Sequence, residues 1–182
     1  LTVNSGGSLT STAGFNQPRG GTIDVQTGGS VTMDGWMSID NAAASNKAYA
    51  INVNGGSYNQ AGQMYLGSGV VQNSTIAITV DSGSFQSGFI QLRASTDTTV
   101  TLDVNGGTAT VDYLVFVDHT GTNTVTVDGG DLIISTSNEN GSLTFASASD
   151  KVWYEDGTIT WEGVDTEAEF NTFKATFSAR VY

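Results

Sequence analysis

The sequence predicts an all-β fold, a parallel β-helix (β-solenoid) of about seven coils with a short C-terminal capping helix. Three observations predict it. Glycine-anchored turns recur every 22 to 27 residues, at Gly7, Gly29, Gly56, Gly83, Gly107, Gly130 and Gly157. Apolar residues alternate with polar ones just before each anchor. The same columns of residue types then return coil after coil. An antiparallel sandwich would place turn signals about every 8–12 residues with no longer-period alignment. Column matching at about 25 residues favours the solenoid.

The first strand of a coil ends at the anchor. Its inward pairs are Leu1/Val3, Ile23/Val25, Ile51/Val53, Ile78/Val80, Leu102/Val104, Val125/Val127 and Val152/Tyr154. Period-two alternation means a strand with one face buried. A polar column follows at Asn54, Asp81, Asn105, Asp128 and Glu155. Asn and Asp there bond backbone two residues on, and the anchor glycine supplies a positive φ. After the turn an inward column reads Leu9, Val31, Tyr58, Phe85, Ala109, Leu132 and Ile159. A third strand brings Met37/Ile39, Met64/Leu66, Ile90/Leu92 and Leu114/Phe116 inward. These lie eight and ten residues past the anchor in two coils, and seven and nine in the other two. At ~4.8 Å per coil, seven coils make a rod about 33 Å long.

The solenoid is expected over residues 1–163 and a cap, an amphipathic helix plus a terminal strand, over 164–182. Thr166-Glu167-Ala168-Glu169 reads as a capping box. Phe170, Phe173 and Phe177 then form an apolar stripe on a helix from about Glu167 to Thr176. The chain opens inside a strand, at Leu1-Thr2-Val3, and starts without an initiator Met or signal peptide. That reads as a mature or excised piece of a longer protein, or as an open edge stacking head to tail on another copy.

Eighteen acidic and six basic residues give the chain a net charge of −12. This argues against nucleic acid, dense polyanions and anionic lipid surfaces as partners. No apolar run is long enough to span a membrane, and the lack of cysteine excludes disulfides and thiolate metal sites. Catalysis finds little support. His119, after Asp118, is the one histidine, and no G-x-S-x-G stands near it. Asp24 and Asp103 share an outward slot but lie three coils apart, with Asn52 and Thr79 between. That is too far for a retaining glycosidase pair. The bases Arg19, Lys47, Arg93, Lys151, Lys174 and Arg180 are scattered. The Asn/Asp ladder offers oxygen ligands, but the G-G-x-G-x-D-x pattern of calcium-loaded β-rolls is absent, so no cofactor is expected and any calcium is incidental. A regular threonine column for ice binding is interrupted by charge in the slot Thr2, Asp24, Asn52, Thr79, Asp103, Thr126, Trp153.

The third strand carries the sharpest feature. With its apolar pairs inward, the neighbours face out: Trp36, Ser38 and Asp40; Gln63 and Tyr65; Phe89, Gln91 and Arg93; Tyr113 and Val115. Four successive coils then present an aromatic beside amides. Flat rings with adjacent amides suit the apolar faces and hydroxyls of sugars. The same strip also suits an interface between copies. A register slip of one residue would turn the whole set inward as core.

The repeats I-N-V-N-G-G-S, I-T-V-D-S-G-S, L-D-V-N-G-G-T and V-T-V-D-G-G-D resemble coils of large secreted bacterial parallel β-helix proteins. Autotransporter-type passenger domains and the sorting-signal-bearing surface proteins of aquatic bacteria are similar. The tail G-T-I-T-W-E-G before T-E-A-E-F-N-T-F also resembles their closing coil and helix. The resemblance is one of fold pattern. It implies an extracellular, cell-surface role without catalysis, in adhesion, surface coating or polysaccharide capture. The leading expectation is therefore a polysaccharide-binding or adhesive module, and no enzyme. The alternatives are a self-assembling surface or filament protein and, more distantly, a polysaccharide lyase or hydrolase-like β-helix.

Overall fold

The structure, a computed structural model, describes residues 1–16, 19–40, 42–117, 120–135, 143–144 and 151–161. Thirteen strands follow in order: β1 (Thr2–Val3), β2 (Ser8–Ser11), β3 (Phe15–Asn16), β4 (Gly21–Gln26), β5 (Ser30–Met33), β6 (Met37–Ile39) and β7 (Ala48–Leu66). Then come β8 (Thr75–Leu92), β9 (Thr99–Val104), β10 (Thr108–Phe116), β11 (Thr122–Ile134), β12 (Leu143–Thr144) and β13 (Lys151–Trp161). Every strand pairing is parallel and joins one coil to the next. This is an all-β parallel solenoid with three faces. The long strands β7 and β8 each bend through all three.

The registers match the expected inward columns residue for residue, whereas the polar turn column shifts, Asn54 pairing with Ser82 and Asp128 with Asp156. On the first face Val3, Val25, Val53, Val80, Val104, Val127 and Tyr154 align. On the second, Leu9, Val31, Tyr58, Phe85, Ala109, Leu132 and Ile159 align. On the third, Met37, Met64, Ile90 and Leu114 align, as do Ile39, Leu66, Leu92 and Phe116. All these third-face side chains are buried, so the slipped register that would bury the aromatics instead is not the one adopted. Tyr58 and Phe85 stack inside, with ring centroids 5.5 Å apart.

One expectation is corrected, and a second falls outside the described residues. The solenoid has about five turns, not seven coils. Counting anchors treats every turn as a full coil. The first coil is made of short strands, with β1 and β3 only two residues each, and the last two are incomplete among the described residues. The C-terminal capping helix is not supported. No α-helix occurs among the described residues, and 167–176 lies outside them.

The turn chemistry also differs in one detail. At the Gly6-Gly7, Gly28-Gly29, Gly55-Gly56 and Gly129-Gly130 turns the positive φ falls on the first glycine, as at Gly55 (φ 93°) and Gly129 (φ 85°). The second, the anchor, is glycine for space. A Cβ on Gly56 would sit 2.6 Å from the carbonyl oxygens of both Gln26 and Gly29 in the coil below. Two glycines thus meet two separate needs, a left-handed residue and a close approach of backbones.

Candidate functional site

The third face holds all eight residues expected at a site, in three outward columns. The first contains Trp36, Gln63, Phe89 and Tyr113: Gln63 pairs with Phe89, which pairs with Tyr113, and Trp36 precedes Met37, the partner of Met64. The second contains Ser38, Tyr65, Gln91 and Val115. The third, at the far edge, holds Asp40, Gly67, Arg93 and Val117, joined by backbone bonds from Gly67 to Ile39, Arg93 to Leu66 and Val117 to Leu92. The four aromatics are therefore not one file. Three share a column, and Tyr65 stands in the next. Tyr65 still joins them. Its hydroxyl donates to Gln63 Oε1, and its ring meets Phe89 at 5.8 Å, tilted by 52°.

Trp36 lies down on the sheet. A Cβ at Gly14 would fall within the indole, 2.6 Å from Nε1, so the ring covers the place a side chain would take one coil below. It remains 48% exposed, a flat apolar plate open to solvent. Glycine at position 14 is what allows this.

Between coils three and four the face changes length. Gln60 pairs with Ser87 and Gln63 with Phe89, so Ala61 and Gly62 oppose the single residue Gly88. This is a β-bulge, a device that re-aims side chains beside it. Below it the floor is tight: a Cβ on Gly62 would collide with the backbone of Gly35. At Gly88 a Cβ would meet only ordinary contacts, Ala61 O at 3.4 Å and Asp112 Oδ2 at 3.7 Å. The result is a surface depression of about 370 Å³ lined by Ala61, Gly62, Gln63, Gly88, Phe89 and Tyr113. Its floor is glycine and its walls are aromatic and amide. Buried Gln60 braces the bulge from inside: its amide donates to Gly35 O and its carbonyl accepts from Tyr58 Oη at 3.3 Å.

Sequence reasoning found the walls but missed the floor, Ala61, Gly62 and Gly88, and missed Asp112 at its edge. The available signal was the one-residue difference in spacing between anchor and third strand.

Asp40 and Arg93 are not brought to the depression. They lie at the opposite edge of the face, four residues along the strand, ~13 Å away. They are also two rungs apart with Gly67 between them, and form no ion pair among the described residues. Two buried polar atoms of this face lack a hydrogen-bond partner, Ser38 Oγ and Arg93 Nε.

Elsewhere two aspartates join ladders across neighbouring rungs. Asn52 donates to Asp24 Oδ1 at 2.6 Å, and Asn105 to Asp81 Oδ1 at 2.8 Å, each across one rung. Asp24 and Asp103 stand three rungs apart. Among the described residues no three His, Cys, Asp or Glu converge on a metal position, and no helix is long and apolar enough to cross a membrane. Asp118 and His119 lie outside the described residues. Comparison with protein-family models, curated proteins and solved structures finds no match to this chain.

Proposed function

We propose that the protein is a non-catalytic, extracellular module of a bacterial surface that binds a polysaccharide of low charge density on its third face. One observation carries the reading: the bulge opposite Gly88 opens a glycine-floored depression walled by Phe89, Tyr113 and Gln63. Glycine inside a strand weakens it unless something must approach the backbone closely. A volume of about 370 Å³ suits one or two sugar rings and falls within the usual range of ligand pockets, ~300–1,000 Å³. The C–H face of a pyranose stacks on aromatic rings, and amides pair with its hydroxyls. Trp36 extends the stacking surface along the solenoid. The net charge of −12 disfavours dense polyanions.

Retention on a panel of insoluble polysaccharides tests this. Gly88→Leu fills the depression while its backbone needs no special φ. Retention is expected to fall at least about tenfold, the loss of ~1.4 kcal/mol. Trp36→Ala is expected to weaken retention by a smaller factor. If a retained polysaccharide is held equally by wild type and both variants, the third face is not the binding surface.

A further inference from the structure

Arg93 brings a positive charge to the third face, and among the described residues no hydrogen bond or ion pair engages its side chain. Phe89 and Gln91 face outward at the end of β8 and Arg93 follows directly after it, over ~13 Å. The guanidinium lies against the 67–70 loop, where a Cβ on Gly69 would sit 3.5 Å from Nη2. Its Nε is buried without a hydrogen bond, and the guanidinium forms no ion pair among the described residues. This happens in a chain with three times as many acids as bases. Asp40, in the same column, is two rungs or ~9.6 Å away across Gly67.

A buried donor without a partner is costly, and native structures rarely keep one without a use. The guanidinium fork matches planar or tetrahedral oxyanions, carboxylate above all. The overall charge selects against a polymer that is anionic at high density. Resting on the polysaccharide reading, we infer that the bound chain carries carboxylates, as uronic-acid residues do. One sugar sits in the depression at Phe89 and Tyr113. The polymer then crosses the solenoid axis along β8, and a carboxylate a sugar or two further on pairs with Arg93. Gln91, between the two, faces the intervening hydroxyls.

The test is titration calorimetry with short oligomers of neutral sugars that carry a single uronic acid, and the same oligomers with that carboxyl group reduced to an alcohol. Wild type is expected to bind the acidic form about tenfold or more tightly than the reduced form. Arg93→Gln is expected to abolish that preference while keeping the affinity for the reduced oligomer. Arg93→Lys should restore part of it. Equal binding of both forms by wild type, or a preference that survives Arg93→Gln, overturns the inference and leaves the polysaccharide reading standing. Sulfate esters of the reduced oligomer that bind as well as the carboxylates overturn the carboxylate assignment. If neither form binds and Gly88→Leu is also without effect on every polysaccharide, both readings fall.

Discussion

Gly83 and Gly88, five residues apart in β8, are glycine for opposite reasons. Gly83 has φ 85°, and a Cβ there would collide with the carbonyl of Gly56. Gly83→Ala is expected to cost about 1–3 kcal/mol for the conformation alone, and more for the collision. A urea denaturation midpoint measures it. Gly88 has room and no special φ, so Gly88→Thr, which adds a β-former to a strand, should leave stability unchanged or raise it by up to ~1 kcal/mol. Tyr58 gives a residue-scale prediction in pH. Burial holds its hydroxyl pKa well above the usual value of 10.0. The fold therefore favours the protonated phenol. Its stabilising effect is complete below pH 10 and is lost above it, because the unfolded chain then gives up a proton that the folded chain keeps. Denaturation midpoints should fall steeply above pH 10, and less so in Tyr58→Phe.

At the scale of elements, the inward columns were legible because strand alternation has a strict period of two and each coil rests on the last. Once Val53 and Val80 were matched, the inward residues of the strands between them were placed. The corners were not legible in this way. A bulge inserts one residue without disturbing the strands on either side, so Ala61 and Gly62 opposite Gly88 left only a change of spacing, from eight to seven residues past the anchor. That change was visible, but alternation gives no reason to see a cavity in it. Buried polar residues were hidden too. Asn123 stands in the inward column of Tyr49, Ile76 and Val100. Its Oδ1 accepts from Ala94 N at 2.9 Å, and its Nδ2 donates to Leu92 O at 3.3 Å. It ties the end of the third face to the next coil. Asn123→Leu leaves the Ala94 N–H unpaired, while Leu92 O keeps its bond from Val117 N, and should cost about 1–3 kcal/mol. Faster hydrogen exchange at the Ala94 amide is the local check.

At the scale of the molecule, the three faces divide their tasks. The first displays threonines and paired Asp and Asn, the second mostly small hydroxyl and amide side chains, and the third the aromatics. The third has a depression framed by aromatics. If that face serves a ligand and not a second copy, light scattering at rising concentration should return the mass of one chain, 18.9 kDa. A concentration-dependent dimer that Trp36→Ala disperses would favour lateral self-assembly instead. The most direct test of the central claim is an amide chemical-shift titration with the oligosaccharide that the protein retains best. The account predicts that the largest shifts cluster at Gly62, Gln63, Tyr65, Gly88, Phe89, Gln91 and Tyr113. Shifts concentrated on the threonines of the first face, or spread evenly along the solenoid, would contradict it.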